Sequence, residues 1–439
     1  MFARFLRKTS HIALGLSLGL AFSLNVQAQT SIIHAGKLLA VPGDGVKTKQ
    51  TIVINNGKIT AIHSGYKSAS DLKLDKPATI INQKDNFVMP GLIDMHSHIT
   101  NERDVTKNRH EWTTLYDEDA AYTAIPYLKA NLYAGFTTVR NLGSNYKLMS
   151  AIKRAINKGL IEGPEIVAAM RPVTPTGGHG QRHGYRTDLE SAFETSIGVC
   201  DGPADCMRAV RSLVRNGADV IKITATGGVL SNTNAGVGQQ LTDDEMAAIV
   251  KTAHSLGRKV AAHAHAAGGI NAALRAGVDS IEHGSYLNKE SVKLFKKSGA
   301  YLVPTLLAGV SVHEDLSKSD TVPQPIVDKI NMVLPAVRDA FQLALKNNVN
   351  IAFGTDTGVS VHGTNAREFE LMVEYGMDNE TALKSATINA ATLLGRIDSI
   401  GTIEVGKQAD IIAINGNPLK DIKTMHNVVM VVKKGKQYK

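Results

Sequence analysis

Cysteine is nearly absent from these 439 residues, with only Cys200 and Cys206 present. That pair cannot make a cysteine zinc site and reads as structural. In an exported protein it could close the short loop Asp201–Asp205 as a disulfide. Long apolar runs are missing too, since nothing beyond the first 28 residues approaches the length of a membrane span. No block of Lys and Arg is interleaved with aromatic residues, which argues against nucleic-acid binding.

The first 28 residues have the composition of a cleaved leader. Arg4, Arg7 and Lys8 form a basic start, Ile12 to Leu24 an apolar run, and Val26-Gln27-Ala28 a small-residue cleavage site. Removing its three basic residues, unopposed by any acid, lowers the formal charge from +9 to +6. That is modest for a chain of this size and fits surface solubility. The sequence therefore predicts an exported protein, periplasmic or secreted, without stable membrane insertion once the leader is gone. A homo-oligomer is compatible with it.

Two patterns alternate in the remainder. Ser31–Leu39 and Thr51–His63 read as strands, the second interrupted by the hairpin turn Asn55-Asn56-Gly57. Asp410–Ile414 and Val428–Val432 have the same β-branched character. Residues 29–87 and 402–439 are thus expected to form one small β-sandwich domain from both chain ends. Between them, residues 88–401 repeat a strand-then-helix rhythm. Its strands are read at Met89–His96, Thr137–Asn141, Glu165–Ala169, Val220–Thr224, Val260–His265, Ser280–His283, Leu302–Thr305 and Ile351–Gly354. Amphipathic stretches such as Glu118–Tyr133, Asp205–Asn216, Asp243–Leu256 and Pro325–Lys346 separate them. The class is α/β, and eight such units predict a (β/α)₈ TIM-type barrel. An open doubly wound sheet is the other arrangement, but no Gly-x-Gly-x-x-Gly turn follows the first strand.

Polar residues sit where a barrel core wants aliphatic ones. His96 and His98, Lys222, His263 with His265, His283 and Asp356 all fall at or near the C-terminal ends of strands. Barrel active sites are built at those ends. Residues i and i+2 of a strand share one side, so paired histidines would face the axis together. Singly, each has a bland explanation. Lys222 could snorkel to the surface, His283 could be a satisfied structural histidine, and Asp356 could cap the next helix. Together, in strand order, they point to a metal site, and imidazole with carboxylate suits zinc first among divalent ions.

The segments carrying these residues resemble the amidohydrolase superfamily. Met89-Pro90-Gly91-Leu92-Ile93-Asp94-Met95-His96-Ser97-His98 is similar to its first-strand signature. Ser280-Ile281-Glu282-His283-Gly284, Gly354-Thr355-Asp356 and the stretch Gly401–Asp410 are similar to its later blocks. A lysine in the fourth strand and Gly177-Gly178-His179-Gly180 resemble the prolidase-like branch, the Xaa-Pro dipeptidases. The resemblance implies two divalent metal ions. His96, His98 and Asp356 would hold the more buried one, and His263 and His283 the other. Lys222, carboxylated by CO₂ to a carbamate, would bridge both. Such a carbamate would turn a costly buried cation into an anionic ligand. Both strand-5 histidines face inward by alternation; the family pattern favours His263, leaving His265 behind it or facing substrate.

The same resemblance implies hydrolysis by a metal-bridging hydroxide, with Asp356 shuttling the proton to the leaving amine. Substrate contacts belong to the loops after the strands. His179 is the first choice, followed by Arg171, Tyr185 and His362. The expected substrate is a small molecule: a dipeptide (Xaa-Pro, Xaa-Arg or Xaa-Lys) or an N-acyl amino acid with a free carboxylate. A cyclic-amide hydrolase or deaminase of the imidazolonepropionase type is the alternative enzyme, against which Lys222 counts. A non-catalytic binding protein on the same barrel is the alternative outside enzymes, against which the complete ligand set counts.

Overall fold

The computed structural model describes residues 30–74, 78–104, 110–186, 188, 197–318 and 322–439. The leader expected at residues 1–28 lies outside them. The chain opens with strands β1 (Thr30–Leu38), β2 (Lys47–Asn55), β3 (Lys58–Ser64) and β4 (Ala78–Pro90). The β2–β3 hairpin turns at Asn56 and Gly57, which take φ of 50° and 77° as such a turn requires. Much later, β13 (Ile411–Ile414), β14 (Val428–Lys433) and β15 (Lys436–Gln437) return to the same place. All seven strands form one sheet in the order β15-β14-β13-β4-β1-β2-β3. Both chain ends therefore build one layer, with its own apolar cluster of residues such as Ile33, Ile52, Val88, Ile411 and Val432.

Eight parallel strands lie between: β5 (Leu92–Ser97), β6 (Phe136–Asn141), β7 (Glu165–Ala168), β8 (Ile221–Thr224), β9 (Val260–Ala264), β10 (Ser280–His283), β11 (Tyr301–Val303) and β12 (Asn350–Ile351). They pair as β5-β6-β7 and as β8-β9-β10-β11-β12. Backbone hydrogen bonds span both gaps between these sheets. Met95 N donates to Phe353 O at 2.9 Å and His98 N to Thr357 O at 2.6 Å, joining the β5 and β12 ends. Asp219 N donates to Ala168 O at 2.8 Å and Val173 N to Lys222 O at 2.7 Å, joining the β7 and β8 ends.

Helices fill every interval between consecutive parallel strands, beginning with Asp117–Tyr133 and Tyr146–Asn157 and ending with Leu306–Leu316 and Gln324–Lys346 before β12. Local chemistry sets their limits. Thr242 and Glu245 form a reciprocal capping box at the start of Asp243–Ser255. Asn288 caps Lys289–Ser298, which stops at Gly299 in the left-handed region (φ 74°). The disulfide expectation is met, with Cys200 bonded to Cys206 in the first turn of Pro203–Arg215.

The run read as one strand, Met89–His96, is divided in the structure. Gly91 N donates to Asp410 O in the seven-stranded layer, and Leu92 N to Gly135 O beside β6. The chain changes sheets at that glycine, where an added Cβ would come within 2.4 Å of Thr137 Oγ1. Only a residue without a side chain fits the crossing.

Candidate metal centre

β5 carries His96, with His98 one residue past its end. Their Nε2 atoms lie 3.4 and 3.2 Å from Oδ1 of Asp356, which follows β12. Neither contact is a hydrogen bond, because that oxygen has no hydrogen-bond partner among the described residues. The ligand atoms of His96, His98 and Asp356 thus lie within 4.8 Å of one another. A second group gathers at the ends of β9 and β10, where His263, His265 and His283 bring ligand atoms within 4.8 Å of one another. His96 and His283 have ring centroids 5.1 Å apart, so the two groups adjoin.

Partners behind the rings set which nitrogen faces the cavity. His96 Nδ1 donates to Glu282 Oε2 at 2.9 Å, and His98 Nδ1 to Gly143 O at 3.2 Å. His265 Nδ1 meets Ser285 Oγ, His283 Nδ1 meets Thr305 Oγ1 and His179 Nδ1 meets Ser231 Oγ, each at 2.7 Å. Nε2 is left over in all five. His263 is turned the other way: its Nε2 meets Gly227 O at 3.3 Å, leaving Nδ1.

Burial keeps five of these rings neutral, those of His96, His179, His263, His265 and His283. It is the main cause that lowers His96 and His265 to about 4 and His179 to about 3, and it holds His263 and His283 well below the usual imidazole value. Neutral imidazoles can donate lone pairs to a cation. Burial works against ionisation of Asp356 as well, yet its polar and cationic surroundings, Lys222 among them, hold it below the ordinary carboxylate range. Burial also opposes charge on Glu282, but Arg140 at 2.7 Å and His96 keep it at about 2.

Lys222 lies on β8 in the floor of the same cavity, 4% exposed. It does not snorkel: Nζ is buried and without a hydrogen-bond partner among the described residues. Burial pushes its pKa down to about 8, so a neutral amine is accessible near physiological pH. Backbone strain is present at the same place. His283 (φ 71°), Thr305 (φ 49°) and Asp356 (φ 58°) all take left-handed conformations at strand ends. For a β-branched residue like Thr305 that is a true outlier, and such strain clusters at functional sites.

His179, Arg171 and Tyr185 line the cavity. His179 packs beside His263, with ring centroids 4.2 Å apart, and against Gly228, where any Cβ would strike its ring. Arg171 Nε is buried and has no hydrogen-bond partner among the described residues. His362 does not line the cavity. Its Nδ1 meets Asn131 Nδ2 and its Nε2 meets Asn101 O, both at 2.9 Å, and its ring stacks on Tyr127. Sequence reasoning passed over Glu282 and Arg140, the buried pair behind His96. Each is a charged residue in a parallel strand, the signal that singled out Lys222.

These donors fit divalent metal: imidazoles, an ionised carboxylate and an unpartnered amine, converging from the ends of five strands. Residues 87–438 match the model of the amidohydrolase family. A solved Xaa-Pro dipeptidase with methionine bound in its active site superposes with a TM-score of 0.88 at 39% identity, covering 93% of this chain and all of that one. A prolidase complexed with N-methylphosphonate-L-proline gives 0.82 at 30% identity, covering 94% of this chain and all of its own. Ochratoxinase of Aspergillus niger is 31% identical over 433 residues, covering 94% of this chain and 87% of that protein. The chain belongs to the amidohydrolase family and is similar to its prolidase-like members.

Proposed function

We propose that this protein is a two-metal hydrolase cleaving the amide bond of dipeptides or N-acyl amino acids that carry a free carboxylate. The observation that carries this reading is the unpartnered amine of Lys222 in the floor of a cavity that also holds two adjoining ligand groups. His96, His98 and Asp356 would hold one ion, and His263 and His283 the other, with His265 within reach of the same point. Lys222, as a carbamate, would bridge them; zinc suits the donors best. Bound divalent metal polarises a carbonyl and lowers the pKa of water to roughly 7. Asp356, with an oxygen free of hydrogen bonds, accepts the proton released in the attack and hands it to the departing amine. Ser231 holds His179 so that its Nε2 can reach the substrate carbonyl. Arg171 offers a cation to the carboxylate.

The eight parallel strands are proposed to close as a (β/α)₈ barrel, supported by the hydrogen bonds across both gaps. The seven-stranded layer would be a separate small domain, and export would follow cleavage after Ala28.

Turnover of matched dipeptides and dipeptide amides tests the substrate reading. Amidation should lower kcat/KM by about 10²-fold, as expected when a buried donor loses its charged partner. Equal turnover would remove the carboxylate from the proposal.

A further inference from the structure

The cavity over the strand ends holds about 1140 Å³, more than the roughly 300–1,000 Å³ typical of sites for drug-sized ligands. A dipeptide would fill only part of it. Its sides differ in chemistry. One carries the histidines, Lys222 and, in the turn after β7, Arg171. The other is apolar: Val229 follows β8, Val312 lies on Leu306–Leu316, and Ile326, Ile330 and Val333 lie on Gln324–Lys346. These five belong, with Val237, to a hydrophobic cluster distinct from the main core.

The apolar wall is held in place by a buried charge. Lys329, on the same helix and 5% exposed, donates to the carbonyls of Gly228, Ser231 and Thr233. Three carbonyl acceptors for one ammonium tie the helix to the loop that carries Val229 and the hydroxyl behind His179. The wall is therefore fixed relative to the centre where chemistry would occur, as a specificity surface must be.

We propose that this wall is an acyl subsite and that the substrates are N-acyl amino acids with a bulky apolar acyl group, aromatic or long-chain. The proposal rests on the amide-hydrolase reading above. The amine side of such a substrate bears the carboxylate and belongs with Arg171, past β7. Apart from Val229, the wall is built from the two helices that follow β11, four strands further along the order of parallel strands. A substrate with its carbonyl at the centre would place its acyl part against that wall, where apolar surface leaves water.

The test is a series of N-acetyl, N-octanoyl and N-(2-naphthoyl) derivatives of L-alanine, L-leucine and L-proline, with the metal-loaded protein. On any amine that is cleaved, kcat/KM should rise by at least about tenfold from acetyl to naphthoyl. Ile330→Asn should reduce that ratio by about fivefold or more. Acetyl turned over as well as naphthoyl would overturn the subsite and leave the amide reading standing. If no member is cleaved, the amide reading falls, and the subsite is judged by calorimetry with uncleavable sulfonamides. There 2-naphthalenesulfonyl-L-proline should bind at least about tenfold tighter than methanesulfonyl-L-proline; equal affinities would overturn the subsite.

Discussion

Two groups of charge lie at opposite ends of the parallel strands, and they are finished differently. At the end facing the seven-stranded layer, Glu165 pairs with Arg396 at 2.7 Å and with Lys434 at 2.9 Å. Asp410 accepts from Lys434 N and Gln408 Nε2, and Lys433 Nζ donates to Gly163 O. At the other end, Lys222 Nζ and Asp356 Oδ1 have no hydrogen-bond partner among the described residues. Lys222 and Asp356 are 4% and 8% exposed, more deeply buried than the side chains of Glu165, Arg396 and Lys434, which are 22%, 27% and 46% exposed. Glu165 Oε2 also lacks a hydrogen-bond partner among the described residues, but an ammonium lies beside it at 2.9 Å. A charge beside its counter-charge is explained by the fold, whereas an unpartnered amine lining a cavity calls for something that binds there.

The sharpest break in the comparison comes from Asp356→Asn. Asn keeps the shape and an oxygen ligand but cannot take up a proton. Metal and fold should be retained while kcat and kcat/KM fall together by about 10²–10⁴-fold. Near-wild-type turnover would return Asp356 to a helix-capping role. Next comes a matched pair of carboxamide substitutions, one at each end. Glu282→Gln should weaken metal binding or activity by about 10–100-fold, because it alters the partner that orients His96. Glu165→Gln should cost about 1–3 kcal/mol of stability and leave kcat/KM near the wild-type value. Equal effects of the two on activity would erase the functional contrast.

The smallest effect is a pH dependence of metal-free protein in CO₂-free buffer. The folded pKa of Lys222, about 8, lies below its ordinary value of 10.5. Between those values the unfolded chain binds more protons, so the stability to unfolding contributed by this group rises with pH. Wild type should gain on Lys222→Met as the pH goes from about 8 towards 10.5, with the penalty fully present below that window. A difference flat in pH would mean that Lys222 finds a partner in the folded protein.

Much of this centre was legible because metal ligands interrupt strands that otherwise want aliphatic residues. His96, Lys222, His263 and His283 each stand in a short β-branched or alanine-rich run, and the alternation of strand side chains brought His98 and His265 along. Direction after a strand end was less legible. His362 lies near β12 in sequence but turns towards Asn131 and Tyr127. Strand β4 escaped notice because Gln83-Lys84-Asp85-Asn86 breaks its hydrophobic pattern. The loop carrying Ser231 and its attachment to Lys329 left no local signal, since those partners lie 98 residues apart in sequence.

The most direct test of a two-metal centre is a metal count on purified, active protein by elemental analysis, repeated after chelation and after metal is restored. About two divalent ions per chain are predicted, with activity and thermal stability lost on chelation and regained together, since a ligand bound to the native state alone stabilises it. Full activity with one ion per chain, or with none, would contradict the account.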